Sequence, residues 1–292
     1  MILVVCGPTG VGKTKMSVEL AKVFNGEVIN ADAMQVYKGL DIGTAKITEN
    51  EKDGINHRLF DICDVEDNYS VYDYQNDCRF MIGSIYDDSK VPIMVGGTGL
   101  YIKAALFDYK FNEMEIKSYD ELSNEELLDK IMEYNIEINF DVKNRRRLVM
   151  VLNKLENDLY NIEDNNHILY DDVIVIGLTT GRELLYEKIN HRVDVMIENG
   201  LLDEVKSFYD KGIRSKAIMT GIGYKELYSY FDKEISLEEA IELIKQRSRR
   251  YAKRQYTFFN NQLDVNWFNV DYDNFNNTVL DVVKFIKDKK SQ

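Results

Sequence analysis

The stretch Gly7-Pro8-Thr9-Gly10-Val11-Gly12-Lys13-Thr14 constrains the fold more than any other, because it fits the spacing G-x-x-x-x-G-K-[ST]. An apolar run, Ile2 to Cys6, precedes it, and helix-compatible Lys15 to Phe24 follows it. Strand, glycine loop and helix in that order form a phosphate cradle. Backbone N–H groups turn inward around an anion, the helix N-terminus adds its positive end, Lys13 adds a point charge, and the Thr14 hydroxyl is placed to ligate Mg²⁺. The motif does not say what becomes of the phosphate. A kinase or ATPase transfers a terminal phosphoryl group, whereas a prenyltransferase holds a diphosphate that leaves from carbon.

The remaining pattern is α/β. Glu27 to Asn30 reads as a short strand and Val91 to Val95 as another, and Val173 to Leu178 is a continuous apolar run of the kind buried in a parallel sheet. The expected architecture is a P-loop NTPase-like parallel sheet flanked by helices, with an inserted helical subdomain. Residues 1–108 and 171–292 form the two parts of the core, and residues 109–170 form the insertion. Ser70 with Asp73, Thr180 with Glu183 and Ser236 with Glu239 read as capping boxes that open helices. The first opens a stripe of Val71, Tyr74, Cys78, Met81, Ile82 and Ile85 that suits core packing; the second opens a helix ending near Gly200. Within the insertion, Glu113 to Glu137 is acidic and helix-prone, and Asn157 to Asn166 is a polar loop.

Two polar residues fall just past strand ends, where open α/β sheets bind ligands. Asp32 can act as a general base, ligate Mg²⁺ through water, or serve as a capping or turn aspartate. Thr98, in Gly96-Gly97-Thr98-Gly99, either presents its hydroxyl at the same edge or completes a turn. Asp61, in HRLFDICDVED, is a weak candidate for a Walker-B carboxylate. Arg182 and Arg192 follow the third apolar run and suit an anion or a surface ion pair.

A net charge of −13 excludes a protein that binds nucleic acid over its whole surface, so such contacts must come from local basic patches. Two exist. Lys143-Asn144-Arg145-Arg146-Arg147 precedes a helical stripe, and IKQRSRRYAKRQYTFF carries six basic residues without an acid. At 100° per residue, Arg247, Arg250 and Arg254 share a face, and the interleaved Tyr251 and Tyr256 suit base contacts. Cys6, Cys63 and Cys78 lack metal spacing and read as reduced thiols of a cytoplasmic protein. The first apolar run is too short for a signal peptide, and no stretch is long enough to span a bilayer.

Taken together, GPTGVGKT, EVINADAMQVYKGLDIGTAK, PIMVGGTGLY, LYEKINHRVDVMIENGLLDEV, GIGYKEL and RRYAKRQ resemble, in order and over nearly the whole chain, the tRNA dimethylallyltransferase family. The resemblance implies transfer of a dimethylallyl group from dimethylallyl diphosphate to the exocyclic amine of the adenosine 3′-adjacent to the anticodon. It implies that Gly7, Pro8, Thr9, Gly10, Val11, Gly12, Lys13 and Thr14 hold the diphosphate with Arg192, that Mg²⁺ sits near Thr14, and that Asp32 is the general base, assisted by Thr98. Asp32, Ala33, Met34 and Gln35 would meet the extruded base. Lys143, Arg145, Arg146, Arg147, Gly223, Tyr224, Lys225, Arg247, Arg250 and Arg254 would contact the anticodon stem-loop of the tRNA, with the enzyme a monomer. The chain departs from the family pattern at Lys143-Asn144, Met150 and Thr220, and its insertion is short. Rival readings are an adenylate isopentenyltransferase, a small-molecule P-loop kinase and a tRNA-binding protein without catalysis.

Overall fold

Every residue of β1 (Ile2–Cys6) is fully buried, which requires a sheet covered on both faces. The computed structural model describes residues 1–111, 115–160 and 167–291 and supplies that sheet. In chain order the elements are β1, α1 (Lys13–Phe24), β2 (Gly26–Asn30), α2 (Glu49–Lys52), β3 (His57–Arg58), α3 (Val71–Asp87), β4 (Val91–Val95) and α4 (Gly99–Leu106). There follow α5 (Asn124–Met132), α6 (Arg145–Glu156), β5 (Val173–Thr179), α7 (Arg182–Glu198), α8 (Leu201–Tyr209), α9 (Lys216–Thr220), α10 (Tyr224–Phe231), α11 (Leu237–Gln262), β6 (Asn266–Asn269) and α12 (Phe275–Lys290). By contacts the chain divides into one unit of Met1–Phe107 with Ile168–Gln292 and a second of Asp108–His167.

In the first unit six strands run parallel in the order β3-β2-β4-β1-β5-β6. Strand alternation sorts the core. Leu3 and Val5 of β1 face α1 and α12, meeting Met16, Leu20, Val282 and Ile286. Ile2, Val4 and Cys6 face the other way, onto Tyr74, Cys78 and Ile82 of α3 and Ile102 and Ala105 of α4. Full burial of each such side chain contributes about 1.5–3 kcal/mol, so a charge at Val4 would cost the sheet its central strand. A third apolar cluster joins Val36 and Leu40 to α8, α10 and α11 through Leu201, Val205, Leu227 and Ile244.

Ser70 and Ser236 cap α3 and α11 in reciprocal capping boxes. Thr180 does not act this way: α7 starts one residue later, with Gly181 as its N-cap and no side-chain cap bond. Asp61 is not on a strand either. β3 ends at Arg58, and Asp61 takes positive φ and accepts from Lys46 Nζ, so it holds a loop rather than a metal.

The second unit packs α5 against α6 around Leu127, Ile131, Leu148, Val151 and Leu152. Buried Asn153 stitches the preceding segment to α6, donating to the Lys117 and Val149 carbonyls and accepting from the Lys117 N–H. Much of the polar loop read at Asn157 to Asn166, and residues 113–114 of the acidic stretch, lie outside the described residues.

Candidate active site

The cradle forms where β1 ends. Gly7, Gly10 and Gly12 all have positive φ, and a β-carbon on Gly12 would stand 2.7 Å from the Phe275 ring. Glycine is therefore required at Gly12 on two counts, conformation and space. As the N-cap of α1, Gly12 offers no side chain to the first helical amides, and the helix's own bonding begins with Met16 N–H to the Gly12 carbonyl, 3.0 Å. The amides ahead of that bond have no partner within the helix, which suits them to an anion. Lys13 folds back over the loop and donates to the Pro8 carbonyl, 2.7 Å. Burial first, and nearby Arg192 second, push its ammonium down to about 8, against the pull of Asp32 and Cys6.

Arg192 reaches the cavity from α7. Burial lowers its guanidinium too, against the pull of Asp32 and Glu51, and its Nη2 donates to the Thr44 carbonyl, 3.4 Å. Two half-buried cations lining one cavity form a site that an anion stabilises. Thr14 is exposed at the start of α1, on the cavity lining.

Asp32 stands past the end of β2. Its Oδ1 accepts the Met34 N–H, 3.0 Å, and its own N–H donates to Asn30 Oδ1, 2.9 Å. Buried Asn30 also donates to the Leu59 carbonyl, so the turn bearing Asp32 is tied to the neighbouring loop. Thr98, the N-cap of α4, does not cap its own helix; its Oγ1 accepts the Ala33 N–H, 3.0 Å, joining the turn after β2 to the turn after β4. Gln35 donates to the Thr44 carbonyl, 3.0 Å.

Gln255, in the middle of α11, carries a role that sequence reasoning missed. It is buried, donates to the Gly97 carbonyl at 3.0 Å and accepts the Thr9 N–H at 3.1 Å, so one amide joins the cradle to the Thr98 turn. Its place in a basic run disguised it; the one available signal was an uncharged glutamine about a quarter turn off the Arg247, Arg250 and Arg254 stripe. Tyr251, one turn earlier, lines the same cavity. Burial, then the charge of Asp32, push its phenol up to about 12, while hydrogen bonds with Thr98 and Gln255 pull the other way. The half-buried tyrosines of α11 differ: Tyr251 opens onto the cavity, whereas the Tyr256 hydroxyl lies 2.6 Å from Thr179 Oγ1, with its ring against Trp267.

These groups line one cavity of about 980 Å³, which includes Gly10, Lys13, Thr14, Asp32, Met34, Gln35, Arg192, Tyr224, Tyr251 and Arg254. Its apolar wall holds Ile189, Val193, Met196 and Ile244, so a cationic end lies beside a greasy one, as suits a lipid-like diphosphate.

The other candidate RNA contacts divide. Arg250 and Arg254 are exposed on α11, but Arg247 on the same stripe is bound to Glu226, which also accepts the Gly223 N–H. Tyr224 is buried, with its hydroxyl on Glu204 at 2.6 Å, while Lys225 is half-buried. In the second unit Lys143, Arg146 and Arg147 are exposed, whereas Arg145 donates to the Tyr119 and Leu122 carbonyls, 2.7 Å each. Arg182 is exposed and lies over the Tyr186 ring.

A glycine cradle with a carboxylate at the neighbouring strand end and an arginine on the same cavity belongs to a P-loop NTPase-like fold. The family described as IPP transferase matches residues 35–262, and the chain belongs to that family. A tRNA dimethylallyltransferase from Bacillus mycoides is 44% identical over 290 residues, covering 92% of this chain and 90% of the relative. The crystal structure of the full-length tRNA isopentenylpyrophosphate transferase from Bacillus halodurans superposes with a TM-score of 0.77 at 40% identity, covering 99% of this chain and 96% of that one. A eukaryotic dimethylallyltransferase acting on tRNA matches with a TM-score of 0.72 at 28% identity, over 91% of this chain and 73% of that one.

Proposed function

We propose that the chain transfers a dimethylallyl group from dimethylallyl diphosphate to the exocyclic amine of the adenosine 3′-adjacent to the anticodon of a tRNA. The amine nitrogen attacks the allylic carbon, the carbon–oxygen bond breaks, and diphosphate leaves with the electron pair. The observation that carries this reading is the pairing of two desolvated cations, Lys13 and Arg192, with Asp32 in one cavity that also has an apolar wall. Charge building on the leaving diphosphate meets the amides of residues 10–14, Lys13 and Arg192, already oriented and shielded from water. Asp32 takes the amine proton. With Oδ1 fixed on the Met34 N–H, Oδ2 is the oxygen assigned to that transfer. Thr98 and Gln255 hold the three turns in register, and extrusion of the adenine from its stack, at about a few kcal/mol, lets the amine reach Asp32.

Mg²⁺ is assigned to the leaving diphosphate beside the Thr14 hydroxyl. Among the described residues no cluster of three or more His, Cys, Asp or Glu is arranged to hold a metal, so diphosphate oxygens and water would complete its shell. When bound beside Thr14, such an ion would supply positive charge to the departing diphosphate. Exposed Arg146, Arg147, Arg250 and Arg254 are assigned to the phosphates of the anticodon stem-loop. We place the enzyme in the cytoplasm as a monomer. Its three cysteines are free, and burial pushes the Cys6 and Cys78 thiols up to about 12, which suits inert core residues. No described helix is long and apolar enough to cross a membrane.

The reading is tested by offering labelled dimethylallyl diphosphate to an unmodified anticodon stem-loop and, in parallel, to AMP. Label on the RNA alone is expected; label on AMP alone would move the chain to the nucleotide-prenylating reaction.

A further inference from the structure

Sequence reasoning left Glu204 of α8 unassigned, yet its carboxylate is fully engaged. Oε2 accepts the N–H groups of Asp41 and Ile42, at 3.1 and 2.7 Å, and Oε1 accepts the Gly43 N–H at 3.1 Å and the Tyr224 hydroxyl at 2.6 Å. Three consecutive backbone donors on one anion fix the direction of the loop they belong to. The Tyr224 ring closes the other side: a β-carbon on Gly43 would stand 2.7 Å from its hydroxyl, so only glycine lets the loop lie against it. The next residue is Thr44. Its carbonyl accepts from Arg192 Nη2 and from Gln35 Nε2.

We infer that Glu204, braced by Tyr224, is a positioning residue that acts through the Thr44 carbonyl to aim Arg192 at the diphosphate. The inference rests on the assignment of Arg192 as a diphosphate ligand. Physically, a guanidinium on a long side chain is a good clamp only when one of its donors is tied down, because otherwise ordering it on binding costs rotamer freedom. The Thr44 carbonyl supplies that tie, and Glu204 supplies the fixed loop. Replacing the carboxylate by an amide turns one acceptor into a donor that faces backbone N–H groups, so the loop must shift.

The test is titration with inorganic diphosphate, by calorimetry, of the full chain and of Glu204→Gln, Tyr224→Phe, Arg192→Ala and the Glu204→Gln/Arg192→Ala pair, with thermal melts alongside. A misdirected charged hydrogen bond predicts about a tenfold loss of diphosphate affinity in Glu204→Gln and about a threefold loss in Tyr224→Phe. Once Arg192 is gone, Glu204→Gln should weaken binding no further, since both changes act on one contact. Unchanged affinity in a folded Glu204→Gln protein, or losses that multiply in the double variant, overturns the inference. Should Glu204→Gln fail to fold, Tyr224→Phe alone and combined with Arg192→Ala carries the same comparison. Transfer to RNA by the unmodified chain reads the proposed activity separately: coupling without transfer counts against the activity, and transfer without coupling counts against Glu204.

Discussion

The cavity has two walls built in different ways. One, Gly7 to Thr14, is contiguous in sequence and takes its geometry from glycines and a helix start. The other is assembled from distant pieces: Asp32 after β2, Thr44 in a loop, Arg192 on α7 and Gln255 on α11, joined by side-chain hydrogen bonds to backbone groups. The contiguous wall binds phosphate in many proteins with different chemistry. On the proposed mechanism the assembled wall decides the reaction, because it would put a proton acceptor, Asp32, and a second cation, Arg192, around whatever the cradle holds.

If that division is right, the largest effect belongs to the assembled wall. Asp32→Ala should lower transfer by about 10²–10⁴-fold, the range for loss of a positioned general base, in single-turnover assays with saturating RNA. Next, Lys13→Met should reduce kcat by about 10²–10³-fold, as expected when a cation aimed at developing charge is removed. That variant sharpens the comparison if dimethylallyl diphosphate still binds, since the cradle amides remain.

The contiguous wall also predicts a pH effect. Because burial lowers Lys13 to about 8 in the free protein, and bound diphosphate restores its charge, binding takes up a proton above that pH. Once the ligand's own ionisation is subtracted, diphosphate affinity should therefore be level below pH 8 and fall by up to about tenfold per pH unit above it, measured by calorimetry in buffers of differing ionisation enthalpy. For stability the sign is opposite to that of an ion-paired lysine: the unfolded chain binds more protons between about 8 and 10.5, so the cost of burying Lys13 is relieved as pH rises through that window.

Gln255→Ala should uncouple the two walls. It leaves the buried Gly97 carbonyl and the Thr9 N–H without their partner and should cost about 1–3 kcal/mol in urea unfolding, with a matching loss of kcat. The smallest effect is expected at the surface. Arg146→Gln should reduce the salt slope of RNA binding by about one unit without altering stability. Arg145→Gln should instead destabilise the second unit, because Arg145 is bound to the Tyr119 and Leu122 carbonyls.

What sequence could show follows the same division. β1 and β5 were legible as apolar runs, β2 and β4 as short strands, and the cradle as a spacing, because each is determined by neighbours in the chain. Asp32 and Thr98 were located by strand ends alone. The parts that stayed hidden act across the fold. Gln255 looked like one more polar residue in a basic helix, Glu204 like one acid on an amphipathic one, and Arg247 like a free cation until Glu226 was seen beneath it. Tyr251 and Tyr256 looked available for stacking because helical periodicity gives a residue's angle and not what lies at that angle. Thr180 shows the same limit locally: the spacing to Glu183 suits a capping box, yet the strand runs to Thr179 and Gly181 takes the cap.

The most direct measurement is a crystal structure of the chain with an unreactive thiolo analogue of dimethylallyl diphosphate and an unmodified anticodon stem-loop. The account predicts diphosphate density on the amides of residues 10–14 between Lys13 and Arg192, the dimethylallyl group on the wall formed by Ile189 and Val193, and the adenosine amine within hydrogen-bond reach of Asp32. An analogue bound on the exposed basic face of α11, or an amine held away from Asp32 with the cradle filled, would contradict it.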